Sequence, residues 1–264
     1  MMVFSGTLTT PASNPSKFDV KVHAANSSTV AEFIEALNLN SDEIADLESS
    51  TRGQSENDKW KEARKGRLTA SNFYSIHTRM ESLKLQPKTD MSRLIDTIIR
   101  PQDISHLPAI KHGKINEPHA IKVLMQQLKK SHSNARFYEC GLFIDRHMPY
   151  LGASPDGIVE CDCHGKILIE VKCITGSIDE ASFLSDRQLK PRHKYYGQVQ
   201  GQMMVTGILA THFFVFVSES ETNLNTVTHD KEFCKNMRSN LSAFFTQYIA
   251  PQLLDEPVPK KIKL

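Results

Sequence analysis

Asp156 and Glu170, with Lys172 two residues beyond the second acid, are the side chains whose types and spacing could act on a substrate. Ile158-Val159 and Ile167-Leu168-Ile169 flank the short polar loop Cys161-Asp162-Cys163-His164-Gly165, a pattern that predicts a β-hairpin. Such a hairpin brings the two carboxylates to the same end of adjacent strands. Because strand side chains alternate faces, Glu170 and Lys172 are expected to project together while Val171 turns into the core. Hard divalent cations such as Mg²⁺ take oxygen ligands, which Asp156, Glu170 and the backbone carbonyl of Val171 offer. A cation held there lowers the pKa of bound water and offsets charge on a phosphodiester under attack. Lys172 is expected to orient that water, help deprotonate it and stabilise the pentacovalent phosphorus. The bland alternative is an exposed hairpin with incidental charges at its strand ends. Ser154-Pro155-Asp156-Gly157, followed thirteen residues later by Glu170-Val171-Lys172, argues against it, because a strand flanks each half of the pattern.

The elements that must position these groups are those of one soluble domain. A chain of 264 residues can bury one sizeable core with a small appended piece. Hydrophobic content of 39% and charged content of 23% are ordinary, and no apolar run approaches membrane-spanning length. The start lacks a basic region followed by an apolar one, which predicts an intracellular protein with no membrane partner. Five cysteines in that setting argue against a disulfide framework. A net charge of +2 does not by itself announce nucleic acid, so local clusters must carry that argument.

Residues 1 to about 27 read as a poorly ordered polar arm, and the apolar spacing of Val30, Phe33, Ile34 and Leu37, then Ser41 to Leu47, predicts two short helices. Residues 1–51 are thus expected to form an N-terminal arm and helical extension, residues 52–253 the main domain and residues 254–264 a basic tail. Trp60 to Ser71 is basic and then starts a helix near Thr69, where free N–H groups together with Arg64 and Arg67 could seat a phosphate or could form an ordinary capped terminus. Residues 102 to 112 read as a loop, after which Ala120, Ile121, Leu124 and Leu128 make the stripe of a long helix. Glu117 then falls in the first turn, where a carboxylate either favours the helix dipole or faces a metal. Phe137 to Ile144 predicts a strand leading to the hairpin. A later helix lines up Tyr195, Gln198 and Gln202 on one face and Gly197 and Gly201 on another, the latter expected to pack on the sheet. Thr211 to Val217 suits a buried strand, and Phe233 to Leu253 a final amphipathic helix.

These motifs together resemble the PD-(D/E)xK nuclease superfamily, and more narrowly the YqaJ-like viral recombinase family that includes the phage lambda exonuclease. The resemblance covers about residues 52 to 217 and rests on four motifs in order: Trp60, Arg64 and Thr69-Ala70-Ser71; Gly113 with Glu117; the Asp156, Glu170 and Lys172 hairpin; and Tyr195, Gln198 and Gln200. It implies an α/β fold with a restriction-endonuclease-like core, a central mixed β-sheet flanked by helices, here with an N-terminal helical extension. It implies a metal-dependent DNA exonuclease of recombination or repair, working 5′ to 3′ on duplex ends with Mg²⁺, for which Mn²⁺ would substitute. By the same resemblance Lys172, Glu170, Asp156 and Gln198 are catalytic, and Asp156, Glu170, Val171 and Glu117 hold the metal. Arg64, Ser71 and Thr69 hold a DNA 5′ phosphate, with Tyr195, Lys190, Arg192 and Lys194 along the DNA. DNA is the implied partner, and the family pattern admits a homo-oligomer or a single-strand annealing partner. The chain departs from the family in having Ile174 where Pro usually follows Lys-Cys.

The alternatives are a single-strand nuclease or a RecB-like or Cas4-like nuclease that shares this core, but the latter often hold an iron–sulfur cluster through widely placed cysteines that Cys140, Cys161, Cys163, Cys173 and Cys234 do not reproduce. An inactive DNA-binding relative would be expected to lack one of the three hairpin residues. Zinc is not expected at Cys161-x-Cys163-His164, since three ligands in one tight turn would have to face one tetrahedral ion and a fourth, such as Cys140, come from elsewhere. Pro257 to Leu264 carries a Lys-Lys-x-Lys run that suits a nuclear-import receptor or a DNA backbone contact.

Overall fold

A computed structural model describes residues 15–255, and the run Pro257 to Leu264 singled out above lies outside the described residues. The helices are α1 (Val20–Ala25), α2 (Val30–Ala36), α3 (Ser41–Ser50), α4 (Asp58–Arg64), α5 (Ala70–Leu85), α6 (Ser92–Ile99), α7 (Pro108–Ser131), α8 (Lys194–Thr206), α9 (Lys231–Phe244) and α10 (Ala250–Asp255). The strands are β1 (Leu68–Thr69), β2 (Arg136–Tyr138), β3 (Phe143–Ile144), β4 (Leu151–Ala153), β5 (Gly157–Cys161), β6 (Gly165–Cys173), β7 (Leu184–Ser185), β8 (Gln188–Leu189), β9 (Ala210–Ser218) and β10 (Glu221–Thr228).

The central sheet has the order β10-β9-β6-β5-β2 and is mixed: β5 and β6 form the antiparallel hairpin, while β6 and β9 run parallel. A parallel pair needs a crossover, which α8 supplies. The apolar runs in β6 and β9 are nearly continuous because both faces are covered. On one side lie Ala120, Val123, Leu124 and Leu128 of α7 with Ile169, Val171 and Phe214. On the other Val199 of α8 meets Phe213 and Val215. This is the helix-flanked mixed sheet expected. A small second sheet, β1-β4-β3, sets β1, which runs directly into α5, beside β4, which runs into the hairpin.

Five expectations are corrected. Residues 15–25, read as part of a poorly ordered arm, form a 3₁₀ turn over Pro15–Phe18 and helix α1, because Val20 and Ala24 are buried in a hydrophobic core; the rest of that arm, residues 1–14, lies outside the described residues. The run Phe137 to Ile144 does not form one strand: it breaks at Cys140-Gly141-Leu142, because the N–H groups of Gly141 and Leu142 donate to Glu48 Oε1 (2.9 Å) and Thr51 Oγ1 (2.8 Å) instead of to a sheet. Only β2 joins the central sheet, against β5. The predicted loop at residues 102 to 112 yields to helix from Pro108, since proline is well placed at the first helical position, so Glu117 sits deep in α7 and the dipole reading of it falls. Gly197 and Gly201 pack on α5 rather than on the sheet: a Cβ at Gly197 would stand 2.6 Å from Tyr74 Cβ, and one at Gly201 2.4 Å from Phe73 Cδ2. The last helix is interrupted by a π turn over Phe245–Ile249, as expected where Pro251 has no N–H to give and its ring crowds the preceding turn.

Helices α1 and α2 share the main core. Val20, Ala24, Phe33 and Leu37 are buried with Phe245, Ala250 and Leu253 of the C-terminal segment. Among the described residues no helix is long and apolar enough to cross a membrane.

Candidate active site

The hairpin register pairs Gly157 with Ile169, which sets Asp156 beside Glu170 as the spacing required. Gly157 is needed there because a Cβ would lie 2.1 Å from the Phe137 ring of β2. Asp156 continues the ladder through its own N–H to Ile169 O (3.1 Å), and its Oδ2 accepts from the Val171 N–H at 2.7 Å. The carboxylate is therefore fixed on the neighbouring strand, at the residue named as a carbonyl ligand.

Glu170 is 1% exposed, an expensive place for a charge unless each oxygen is paired. Its Oε1 accepts from Lys172 Nζ and from Gln198 Nε2 (2.6 Å), and its Oε2 accepts from Gln202 Nε2 at 2.6 Å. Gln198 and Gln202, one helical turn apart, reach the same carboxylate from α8. The glycine contacts with α5 fix the depth of that helix.

Glu117 reaches the group from α7. Burial raises the Glu117 carboxyl above its ordinary range, and the Glu170 charge raises it further. Asp156 is held well above its range by burial, then by Glu170 and Glu117. For Lys172 burial works against the charged form, but Glu170 and Asp156 outweigh it and hold the ammonium firmly protonated. The Tyr195 ring faces that ammonium at 5.0 Å. Three carboxylates against one ammonium, all presenting oxygen, are the donor set a hard divalent cation takes.

A second group sits at the start of α5. Thr69 caps that helix through a capping box with Asn72, and its Oγ1 lies 3.1 Å from Ser71 Oγ and 3.3 Å from Arg64 Nη2. The Arg64 guanidinium stacks on Trp60 at 3.8 Å, and burial lowers it to about 10. Trp60 packs against the core cluster of Phe18, Ala63 and Leu142, and its Nε1 donates to Ser154 Oγ at 2.8 Å, two residues before Asp156. Arg67 does not belong to this seat: it is 2% exposed and donates to the carbonyls of Pro149, Phe18 and Ala63.

Lys190, Arg192 and Lys194 are exposed on the segment entering α8, where Tyr74 of α5 donates to the Arg192 carbonyl at 2.7 Å. Lys190 Nζ donates to Ser182 O. Gln200, matched to the family pattern, is structural: it donates to Thr228 O and accepts from the Asp230 N–H. Gln202 does the work at Glu170 that the motif did not assign. Its signal was the shared helix face with Tyr195 and Gln198.

The premise against a metal at the hairpin turn fails. Cys161, Cys163 and His164 do converge, and the fourth neighbour is His132 at the end of α7 rather than Cys140, their ligand atoms all lying within 4.8 Å of one another. The sequence separation of His132 from the turn concealed this. All five cysteines are free.

The fold and the converging hairpin acids define an exonuclease fold of the PD-(D/E)xK type. Residues 59–209, more than half of the chain, match the YqaJ-like viral recombinase domain, and the chain belongs to that family. The alkaline exonuclease LHK-Exo of Laribacter hongkongensis is similar in structure, with a TM-score of 0.54 at 24% identity over 75% of this chain and 94% of that one. LHK-Exo in complex with dAMP gives 0.57 at 25% identity, with the same shares covered. A KSHV SOX RNA complex gives 0.52 at 11% identity, covering 85% of this chain and 78% of that one, a likeness of fold alone. A comparison with curated proteins finds no match.

Proposed function

We propose that the protein is a divalent-metal-dependent DNA exonuclease that degrades duplexes from 5′-phosphorylated ends, in recombination or repair. The observation that carries this reading is the convergence of Asp156, Glu117 and Glu170 on Lys172, with the Arg64 cluster held through Trp60 to Ser154, two residues before Asp156. Asp156, Glu170, Glu117 and the Val171 backbone would hold Mg²⁺ or Mn²⁺. When bound, the ion supplies charge compensation at the scissile phosphate and a more acidic water.

The chain's own groups supply the rest. Lys172, kept as an ammonium by its two carboxylate neighbours, is suited to hold the attacking water by a donated hydrogen bond and to stabilise charge at phosphorus. That weakens the reading of Lys172 as the group that takes the proton. Gln198 and Gln202 fix Glu170 so that its oxygens face the site without rearrangement. Arg64 is half-buried on Trp60 and has a hydroxyl as its partner, so it suits a terminal phosphate together with the first N–H groups of α5. Lys190, Arg192 and Lys194, exposed at the entry to α8, are assigned in this reading to the backbone of the same duplex.

End-labelled duplexes with 5′-phosphate and 5′-hydroxyl ends, incubated with Mg²⁺, test this directly. The phosphorylated duplex should be degraded faster, Arg64→Ala should erase the difference, and closed circular DNA should survive. Equal rates on both ends, or cleavage of closed circles, would overturn the reading.

A further inference from the structure

The turn that joins β5 to β6 carries a second chemical group, Cys161 five residues along from Asp156 and His164 six back from Glu170, roughly 17–20 Å at the usual strand rise. Cys161 ends β5, Cys163 and His164 form the turn, and His132 follows the last residue of α7, its N–H donating to Leu128 O at 2.8 Å. We propose that His132, Cys161, Cys163 and His164 bind one structural zinc ion.

The four ligand atoms lie within 4.8 Å of one another, and the five sulfur edges are close to those of a tetrahedral site. Zn–S bonds of ~2.3 Å and Zn–N bonds of ~2.0–2.1 Å set ligand-to-ligand edges of roughly 3.3–3.8 Å. Cys161 Sγ stands 3.4 Å from Cys163 Sγ, 3.5 Å from His132 Nδ1 and 3.9 Å from His164 Nδ1. Cys163 Sγ stands 3.4 Å from His132 Nδ1 and 3.1 Å from His164 Nδ1. Both imidazoles thus turn the same nitrogen inward. The sulfur pair is too far apart for a disulfide, whose bond is about 2.05 Å.

The backbone around the group is already tied down. Asp162 N–H donates to Ser133 O at 3.0 Å, and Asn134 Nδ2 donates to Asp162 Oδ2 at 2.6 Å, so the segment after α7 and the hairpin turn hold each other in register. Binding through Nδ1 leaves the Nε2–H of His132 free to donate. The ring of His212 on β9 lies 6.0 Å away, and its buried Nε2 has no partner.

Four protein ligands close the coordination sphere, which makes the ion structural rather than catalytic. Its place gives it a purpose: α7 carries Glu117 and the hairpin carries Asp156 and Glu170, so an ion at their far ends would staple together the two elements that must bring those carboxylates into one site.

The test is metal analysis of the full chain expressed with zinc supplied and purified without chelator. About one zinc per chain is expected, retained in Asp156→Asn and lost in both Cys163→Ser and His132→Ala, with a lowered Tm in the latter two. Cobalt exchanged into the wild-type protein should show thiolate charge-transfer bands and the intense visible bands of a tetrahedral ion, a readout that stands even if the variants do not fold. Absence of zinc and of those bands in the wild-type protein would overturn the proposal. So would zinc that survives both ligand variants, or zinc that departs with Asp156→Asn.

Discussion

Asp156 shows how a single residue couples chemistry to stability. Its carboxyl and that of Glu117 are both raised by burial and by neighbouring negative charge. A carboxyl whose folded pKa exceeds its unfolded value binds more protons in the folded chain, so stability should fall as pH rises from the ordinary carboxylate range through the raised values. Melts recorded against pH without divalent ions should show this slope, and added Mg²⁺ should flatten it. Asp156→Asn keeps an acceptor for the Val171 N–H and removes the charge, so it should stabilise the metal-free protein by about 0.5–2 kcal/mol while abolishing cleavage, as active-site residues commonly do. Unchanged turnover in a folded Asp156→Asn variant would remove Asp156 from the mechanism. Gln202 makes a different prediction, because it acts through Glu170. Gln202→Met should leave a buried carboxylate oxygen unpaired and raise the Mg²⁺ concentration for half-maximal rate by roughly 10-fold or more, the usual cost of losing a group that orients a ligand. Titration of activity against Mg²⁺ checks it, and an unaltered midpoint would show that Gln198 and Lys172 suffice.

At the scale of elements, the turn after α3 holds the approach to the hairpin. Thr51 is fully buried and its Oγ1 both donates to Leu47 O (2.5 Å) and accepts from the Leu142 N–H. Beside it Glu48 accepts from the Gly141 N–H and from Arg52. Gln54 donates to both Cys140 O and Pro155 O, so the same segment braces the Pro-Asp turn. Thr51→Val keeps the shape and strands a buried N–H, at about 1–3 kcal/mol. For a chain of this size each kcal/mol corresponds to roughly 2–4 °C in Tm. A thermal melt is the measurement. No change in Tm would mean that water replaces the hydroxyl.

Across the whole molecule, the N-terminal helices close the core rather than decorate it. Val20 and Phe33 are fully buried against the C-terminal segment, and the Phe18 carbonyl accepts from the enclosed Arg67 guanidinium. A chain lacking residues 1–38 should therefore uncover Phe245, Ala250 and Leu253 and leave Arg67 short of an acceptor, giving insoluble or dye-binding protein. Recovery of a soluble variant with the full-length Tm would show instead that these helices are a separate extension.

Much of the site was legible because its geometry is local. Asp156, Glu170 and Lys172 lie within seventeen residues, and the alternation of a strand with the length of a hairpin turn dictates which of them meet. Tyr195, Gln198 and Gln202 were likewise assigned one face by helical period alone. What the tertiary structure decided are the relations between distant segments. Whether an arginine is free to meet a ligand or props up the core cannot be told from a basic run: Arg64 and Arg67 are three residues apart, and only the carbonyls of Phe18, Ala63 and Pro149 around the second assign it to the core. Glycines at 197 and 201 announce a close approach, but the identity of the partner, α5 rather than the sheet, depends on three-dimensional neighbours. His132 stands twenty-nine residues before Cys161 with β2, β3 and β4 between them, and no local period joins them. It reaches the hairpin turn because α7 packs along β6 and ends where that hairpin turns.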